Sequence, residues 1–365
     1  MRAAPCATIS VCRAPRIGSG PSVRLPNKAV GQSFPRIPIP EISMSFLPDA
    51  KTAFAFARAT LVAAALTGGT AALADGPVRI GAVGGLSHSS IGLFGALADG
   101  SLDKAGVAHE LTEFKGGGPA VQALAGGAID VCVCAPEHVV RLRNRGIDAI
   151  VLTPLSDHYT YAIFGPKGTI ETGLDSLKGK KVGITSPGSK TDTLIRLDLK
   201  RAGIEPDVEV ELVGLGGTAG QLTALQTGNI AAGFINGIDA LTAEEEGYPV
   251  VHDWRDIKVP DLALIVTEDW IKANPDTARK LATITLEGSR KAAGDRDHRL
   301  ATLKQIYPHA SETVIVAATD RLNRDTVTTP TFDEATFQTL LTDLIDVDPA
   351  LKPITLDQFS RDFTQ

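Results

Sequence analysis

The run Lys181 to Gly203, K-V-G-I-T-S-P-G-S-K-T-D-T-L-I-R-L-D-L-K-R-A-G, gathers side chains that hold small polar molecules. Ser186, Ser189, Lys190 and Thr191 fall in the turn between a β-favouring run and a helix. A turn of this kind aims free N–H groups and a positive dipole end at whatever lies above a sheet. That is a seat for an anionic or polar ligand, and Lys190 would add a full counter-charge. Each residue also has an ordinary reading. Ser189 is a good N-cap, with Asp192 at the third helical position as in a capping box. Lys190 either enters a cleft or points to solvent, as lysines mostly do.

A similar stretch stands about 100 residues upstream. Gly81 falls on Gly183, Ser87 on Ser189 and His88 on Lys190. Further on, Ala123-Leu124 with Gly127 and Ile129 falls on Ala224-Leu225 with Gly228 and Ile230. Glycine clusters precede both, Gly116 to Gly118 and Gly216-Gly217. A period this long suits two similar lobes, each with ligand-facing turns at the carboxyl ends of parallel strands. By this logic the first lobe offers Ser87, His88, Ser89, Gly117, Pro136 and Glu137 to a cleft. The second offers Ser186, Ser189, Lys190, Thr191, Thr218 and Asn236. His88 is either a cleft residue or a surface residue of its turn, and Glu137 either faces the cleft or only favours its helix N-terminus. With both Glu137 and Lys190 in the cleft, the ligand would carry an amino group as well as an acid.

The elements that must position these residues follow in order. Residues 1–43 are rich in proline, carry six Lys/Arg against one acid, and read as disordered or as an extension upstream of the true start. Residues 44–74 read as a signal peptide: Met44, basic Lys51 and Arg58, an apolar run from Ala59, and Ala72-Leu73-Ala74 as the cleavage site. The run is short for a membrane span. Asp75, not a Cys, stands directly after the cleavage site, so neither a lipid anchor nor membrane insertion after cleavage is expected. Eight of the 36 Lys/Arg and two of the 42 Asp/Glu precede Asp75, so the remainder carries 28 against 40, net −12. Such a surface suits no nucleic acid, and any anion must be captured by local dipoles. Cys132 and Cys134 would face the same side of a strand; they are expected as small buried core residues, with direct bridging strained.

Strands are expected at Val78–Val83, Ala108–Phe114, Ile129–Cys134, Ile147–Leu155, Tyr161–Gly165, Lys181, Val208, Ile230 and Leu262–Thr267. Helices lie between them, then at Pro275–Ala293, Arg299–Tyr307, Thr313–Leu322 and Glu334–Leu344. These last helices lack a sheet of their own and are expected to return to the first lobe. The fold class is α/β: two doubly wound lobes joined by a two-strand hinge at Tyr161–Gly165 and Leu262–Thr267. Lobe 1 is residues 75–164 and 259–365, and lobe 2 is residues 165–258 after a linker at Gly165–Gly168.

The residues Leu177-Lys178-Gly179-Lys180-Lys181-Val182-Gly183-Ile184, with Leu225 to Gly228, Ile230 to Ala232 and the Asp269-Trp270-Ile271 phrase before Pro275, resemble the substrate-binding proteins of ABC importers. More narrowly they resemble the sulfonate, taurine, nitrate and thiamine-pyrimidine branch, the NMT1/THI5-like or SsuA-like group. The resemblance runs from about Pro77 to Ala293. It implies a type II periplasmic binding protein fold, a small-molecule ligand between the lobes, an inner-membrane ABC permease as partner, a periplasmic location and a monomer. The ligand expected is a small anionic or zwitterionic organic molecule, sulfonate-like first. Two other classes make demands of their own. An enzyme related to thiamine-pyrimidine synthesis on this fold would carry a cysteine cluster. A ligand-sensing module would need a DNA-binding helix pair or a membrane helix. The sequence holds no G-x-S-x-G elbow, H-E-x-x-H, Walker loop or clustered metal ligands, so no catalytic residue, cofactor or metal is expected. Aromatic residues make up 5% of the chain, which disfavours a sugar site built on stacking.

Overall fold

Apolar runs bounded by glycine turns become the strands of two five-stranded sheets. The structure, a computed structural model, describes residues 76–83 and 87–365; the 1–43 extension and the 44–74 leader lie outside them. In chain order the strands are β1 (Val78–Val83), β2 (His109–Phe114), β3 (Val131–Cys134), β4 (Ala149–His158), β5 (Tyr161–Phe164), β6 (Lys181–Ile184), β7 (Glu211–Gly214), β8 (Ala232–Asn236), β9 (Val250–Asp253) and β10 (Lys258–Thr267). The first sheet has the order β2-β1-β3-β10-β4 and the second β7-β6-β8-β5-β9. In each, the first three strands run parallel and the last two join antiparallel. The two sheets therefore share one plan, as the internal repeat implies.

The helices α1 (Ile91–Ala98), α2 (Ser101–Lys104), α3 (Gly117–Ala125) and α4 (Glu137–Arg143) belong to the first lobe. The second carries α5 (Lys190–Arg201), α6 (Thr218–Gln226) and α7 (Gly237–Glu245). The chain ends with α8 (Glu268–Ala273), α9 (Pro275–Gly294), α10 (Arg296–Ile306), α11 (Glu312–Asp325), α12 (Glu334–Val347) and α13 (Leu356–Phe359). Among the described residues no helix is long and apolar enough to cross a membrane.

Four sequence expectations shift. Tyr161–Phe164 is not a hinge strand: it pairs with β8 and β9 inside the second sheet, and Leu262–Thr267 lies inside the first. The chain crosses at Tyr159-Thr160 and again at Trp254–Ile257. There Tyr159 N–H donates to Ile257 O at 3.1 Å and Trp254 N–H to Tyr161 O at 3.1 Å. The Gly165–Gly168 stretch is a loop leaving β5, not a linker between lobes. The strand expected at Val208 begins at Glu211, because Asp207 takes φ 65° and leaves Val208 exposed in the turn. The last helices do more than cover the first lobe. α9 packs on α1 and β4, while α11 meets α7 and α12 meets α5, both in the second lobe.

Cys132 and Cys134 are buried as expected, but the structure joins them as a disulfide. Side chains at i and i+2 share a face, and their Cα atoms are 5.5 Å apart, within the span a disulfide bridges.

The repeated glycines have a packing cause. A Cβ on Gly183 would lie 2.0 Å from Gln221 Oε1 and 2.9 Å from Ile230 Cδ1; one on Gly81 would meet Ile129 Cδ1 at 2.5 Å. Gln221 is fully buried and donates to the carbonyls of Ile184 at 2.9 Å and Gly216 at 3.1 Å, so it fastens the turn after β6. Gly183→Ala must displace that amide. We expect a loss of about 1–3 kcal/mol in urea unfolding. Gly81→Ala, which meets only side-chain ends, should cost less.

Candidate functional site

Six parallel strands, three per sheet, end facing one gap. It is a cavity of about 520 Å³. From the first lobe, Ser87–Ser89 follow β1, Glu113 and Lys115 end β2, and Cys134 with His138 follow β3. From the second, Ser189–Thr191 follow β6, Gly216–Thr218 follow β7, and Asn236 with Gly237 follow β8. The first crossing adds Thr160, β5 adds Tyr161, β10 adds Asp261, and Tyr307 arrives from the end of α10.

Of the residues expected from sequence, Ser87, His88, Ser89, Gly117, Ser189, Lys190, Thr191, Thr218 and Asn236 line this cavity. Pro136, Glu137 and Ser186 do not. Pro136 is buried at the start of α4. Ser186 faces the other lobe: a Cβ on Gly116 or Gly118 would lie 3.1 or 3.3 Å from its Oγ. Glu137 is buried behind Lys190. It receives the Thr193 hydroxyl at 2.9 Å, and its Oε2 lies 3.4 Å from Lys190 Nζ. The two residues expected to meet a ligand together meet each other instead.

That ion pair joins α4 of one lobe to α5 of the other, with both side chains almost wholly buried. Lys190 also donates to Pro260 O at 3.4 Å and lies 4.7 Å over the Tyr159 ring. Burial alone would raise the Glu137 carboxyl. Lys190, then Arg141, His138 and the Thr193 bond outweigh it and hold the group below the usual carboxylate range.

Ser189 caps α5 by accepting Asp192 N–H, and its hydroxyl also meets Thr185 and Thr191 at 2.8 and 2.9 Å. His88 is buried in its turn, where its N–H donates to Tyr307 Oη at 3.2 Å. Gly237, at φ 60°, lies so close that a Cβ there would be 2.4 Å from the His88 ring. Gly117 has the same relation to His138, at 2.7 Å from Nε2. The glycines of these turns admit imidazoles from facing elements.

Sequence reasoning missed His138, Asp261, Thr160 and Tyr307. Asp261 had a signal: it is the lone charge in Val259–Thr267, an otherwise uncharged strand. Pro260 cannot donate to the ladder, and pairing with β4 is irregular between Lys258 and Leu262. That irregularity turns Asp261 into the cavity. Tyr307 had none, since it arrives from a distant helix. Asp261 Oδ1, His138 Nε2 and His88 Nδ1 are buried and without a hydrogen-bond partner among the described residues. Burial pushes Asp261 up to about 7, with Lys190 opposing and Asp325, Glu137 and Asp157 adding to the rise. Burial also lowers both His88 and His138 to about 4.

A two-lobed α/β chain with a polar cavity between its lobes has the periplasmic binding protein fold. The chain belongs to the NMT1/THI5-like family, which matches residues 87–298. A stretch of 119 residues is 31% identical to the nitrate/nitrite binding protein NrtA of Nostoc sp. strain PCC 7120, over 31% of this chain and 26% of that one. The match thus spans about a quarter of that relative's length. The aliphatic sulphonate binding protein SsuA of Escherichia coli superposes with a TM-score of 0.59 at 20% identity, covering 79% of this chain and 99% of that one. The ligand-binding component of an ABC-type import system from Staphylococcus aureus gives 0.62 at 18% identity, covering 79% and 97%. At these identities the two structures show a shared fold.

Two tests follow from the electrostatics. Between about pH 4.5 and 6 the unfolded chain holds protons on His88 and His138 that the folded chain does not. The folded chain holds one on Asp261 that the unfolded chain does not. The balance is one extra proton on the unfolded side, so these groups make stability fall on acidification, by about 1.4 kcal/mol per pH unit. Asp261→Asn removes the opposing group and should roughly double that slope in urea melts across the window. Separately, Lys190→Met strands a buried carboxylate and should cost about 3–5 kcal/mol. Adding Glu137→Gln should recover part of the loss; strict additivity in the double-mutant cycle would show that the two groups do not interact.

Proposed function

We propose that this chain is the solute-binding component of an ABC importer, holding a small organic molecule between its lobes and offering the closed form to an inner-membrane permease. The observation that carries this reading is the cavity itself, walled by the carboxyl-end turns of three parallel strands from each lobe. Ligands of open α/β sheets bind at such ends. The crossings at Tyr159-Thr160 and Trp254–Ile257 supply two short connections about which the lobes turn. A solute bridging the lobes biases that equilibrium toward closure by its differential affinity.

The ligand is read as anionic or zwitterionic. Its acidic end would meet hydroxyls and backbone N–H groups at the starts of α5, α6 and α7, because Lys190 is already paired with Glu137. Lys115, exposed at the cavity mouth, is the cation left to greet it. Read as an export leader cleaved after Ala74, the Met44–Ala74 segment supports a periplasmic location, and lobes that must turn freely suit a monomer.

A thermal-shift screen tests the reading. The panel holds taurine, alkyl and aryl sulfonates, nitrate, bicarbonate, small carboxylates, aminopyrimidines and riboflavin. A true ligand at about 100 times its Kd adds roughly 2.7 kcal/mol, a rise of several degrees in Tm. A flat response across the panel would count against the receptor role.

A further inference from the structure

The cavity holds a buried carboxylate with one oxygen left unpaired among the described residues. Asp261 is 3% exposed, and its Oδ1 has no hydrogen-bond partner among the described residues. The bulge at Pro260 turns it inward, where it lines the cavity with His138 and Tyr161. The nearby cation does not answer it. Lys190 is committed to Glu137 Oε2, to Pro260 O and to the face of Tyr159. A buried carboxylate left without a donor is costly. In a binding protein the missing donor can be supplied by the solute.

We propose that Asp261 anchors a nitrogen-borne donor of the bound molecule, an ammonium in the first place, so that the cavity selects amine-bearing acids over plain anions. The inference rests on the receptor reading above and narrows its ligand class. It also gives binding a pH dependence. Burial places the Asp261 titration at about 7, so its charge, and with it the hold on an ammonium, grows as pH rises from 6 to 8. The charges acting on Asp261 are Lys190 from α5, Asp325 from α11, Glu137 from α4 and Asp157 from β4, and the phenols of Tyr159 and Tyr161 are pushed well above their ordinary range by burial, outside the window. Glu137 is held ionised by Lys190, Asp157 lies 3.4 Å from Lys258, and Asp325 lies 2.6 Å from Arg324. His158 stands behind Asp325 at 3.8 Å and is common to wild type and variant. His88 and His138 titrate at about 4, below the window.

Calorimetric titration of the full chain with matched pairs tests this: taurine against propane-1-sulfonate, and β-alanine against butyrate, with each pair differing by ammonium against methyl. At pH 8 the amine-bearing member should bind wild type at least about tenfold more tightly, and Asp261→Asn should abolish the preference. In wild type the affinity for the amine should fall several-fold from pH 8 to pH 6, a readout that needs no variant to fold. Equal affinity within each pair, or a preference that survives in Asp261→Asn, overturns the role of Asp261 and leaves the receptor reading standing. Binding of neither pair overturns the inference; whether the receptor reading falls too is then decided by the wider thermal-shift panel.

Discussion

The Glu137–Lys190 ion pair is the constraint around which the cleft is arranged. It joins the first turn of α4 to the first turn of α5, so it ties the lobes at the place where each sheet presents its turns. Two charges taken out of water cost several kcal/mol unless each is well paired. Thr193, Arg141, Pro260 O and the Tyr159 ring complete that pairing. The pair thus exchanges the hydration of two charges for one specific contact between the lobes.

Around that pair the lobes touch through residues without side chains. Gly116 and Gly118 lie against Ser186, Gly216 against Lys115, and Gly237 against His88. A Cβ on Gly237 would lie 2.4 Å from the His88 ring and force the lobes apart there, one on Gly116 or Gly118 would crowd Ser186 at 3.1 or 3.3 Å, and one on Gly216 would meet Lys115 in ordinary contact at 3.6 Å. Shape thus enforces closeness, while charge supplies the preference for one arrangement.

Much of this plan was legible in the sequence. The glycine-to-glycine repeat announced two like lobes, and Gly81 and Gly183 occupy equivalent central strands for the same packing reason. Strong apolar periodicity located β1 and α9 within a residue or two. What stayed hidden depended on partners distant in sequence. The assignment of β5 to the second sheet is decided by pairing with β8 and β9, which no local pattern encodes. The Cys132–Cys134 bridge turned on a spacing read as strained. Lys190 and Glu137 were singled out as ligand contacts because turn logic finds residues near a cleft without saying whether they face it or each other. Asp261 was passed over because a strand run of Val, Leu and Ile reads as core, and only the irregularity at Pro260 turns its one acid inward.

The strand β10 has a consequence for how the chain is made. It lies between β3 and β4 in the first sheet, yet it is synthesised after the whole of the second. All five strands of the second sheet fall within residues 161–253 and can assemble as they emerge. The first sheet stays split, with β3 and β4 as open edges, until residue 267 has been added. Non-local pairing of this kind is slow, and unpaired edges invite wrong partners. The lobe that begins the chain is thus the last to be finished, and the cavity comes into being only when it closes.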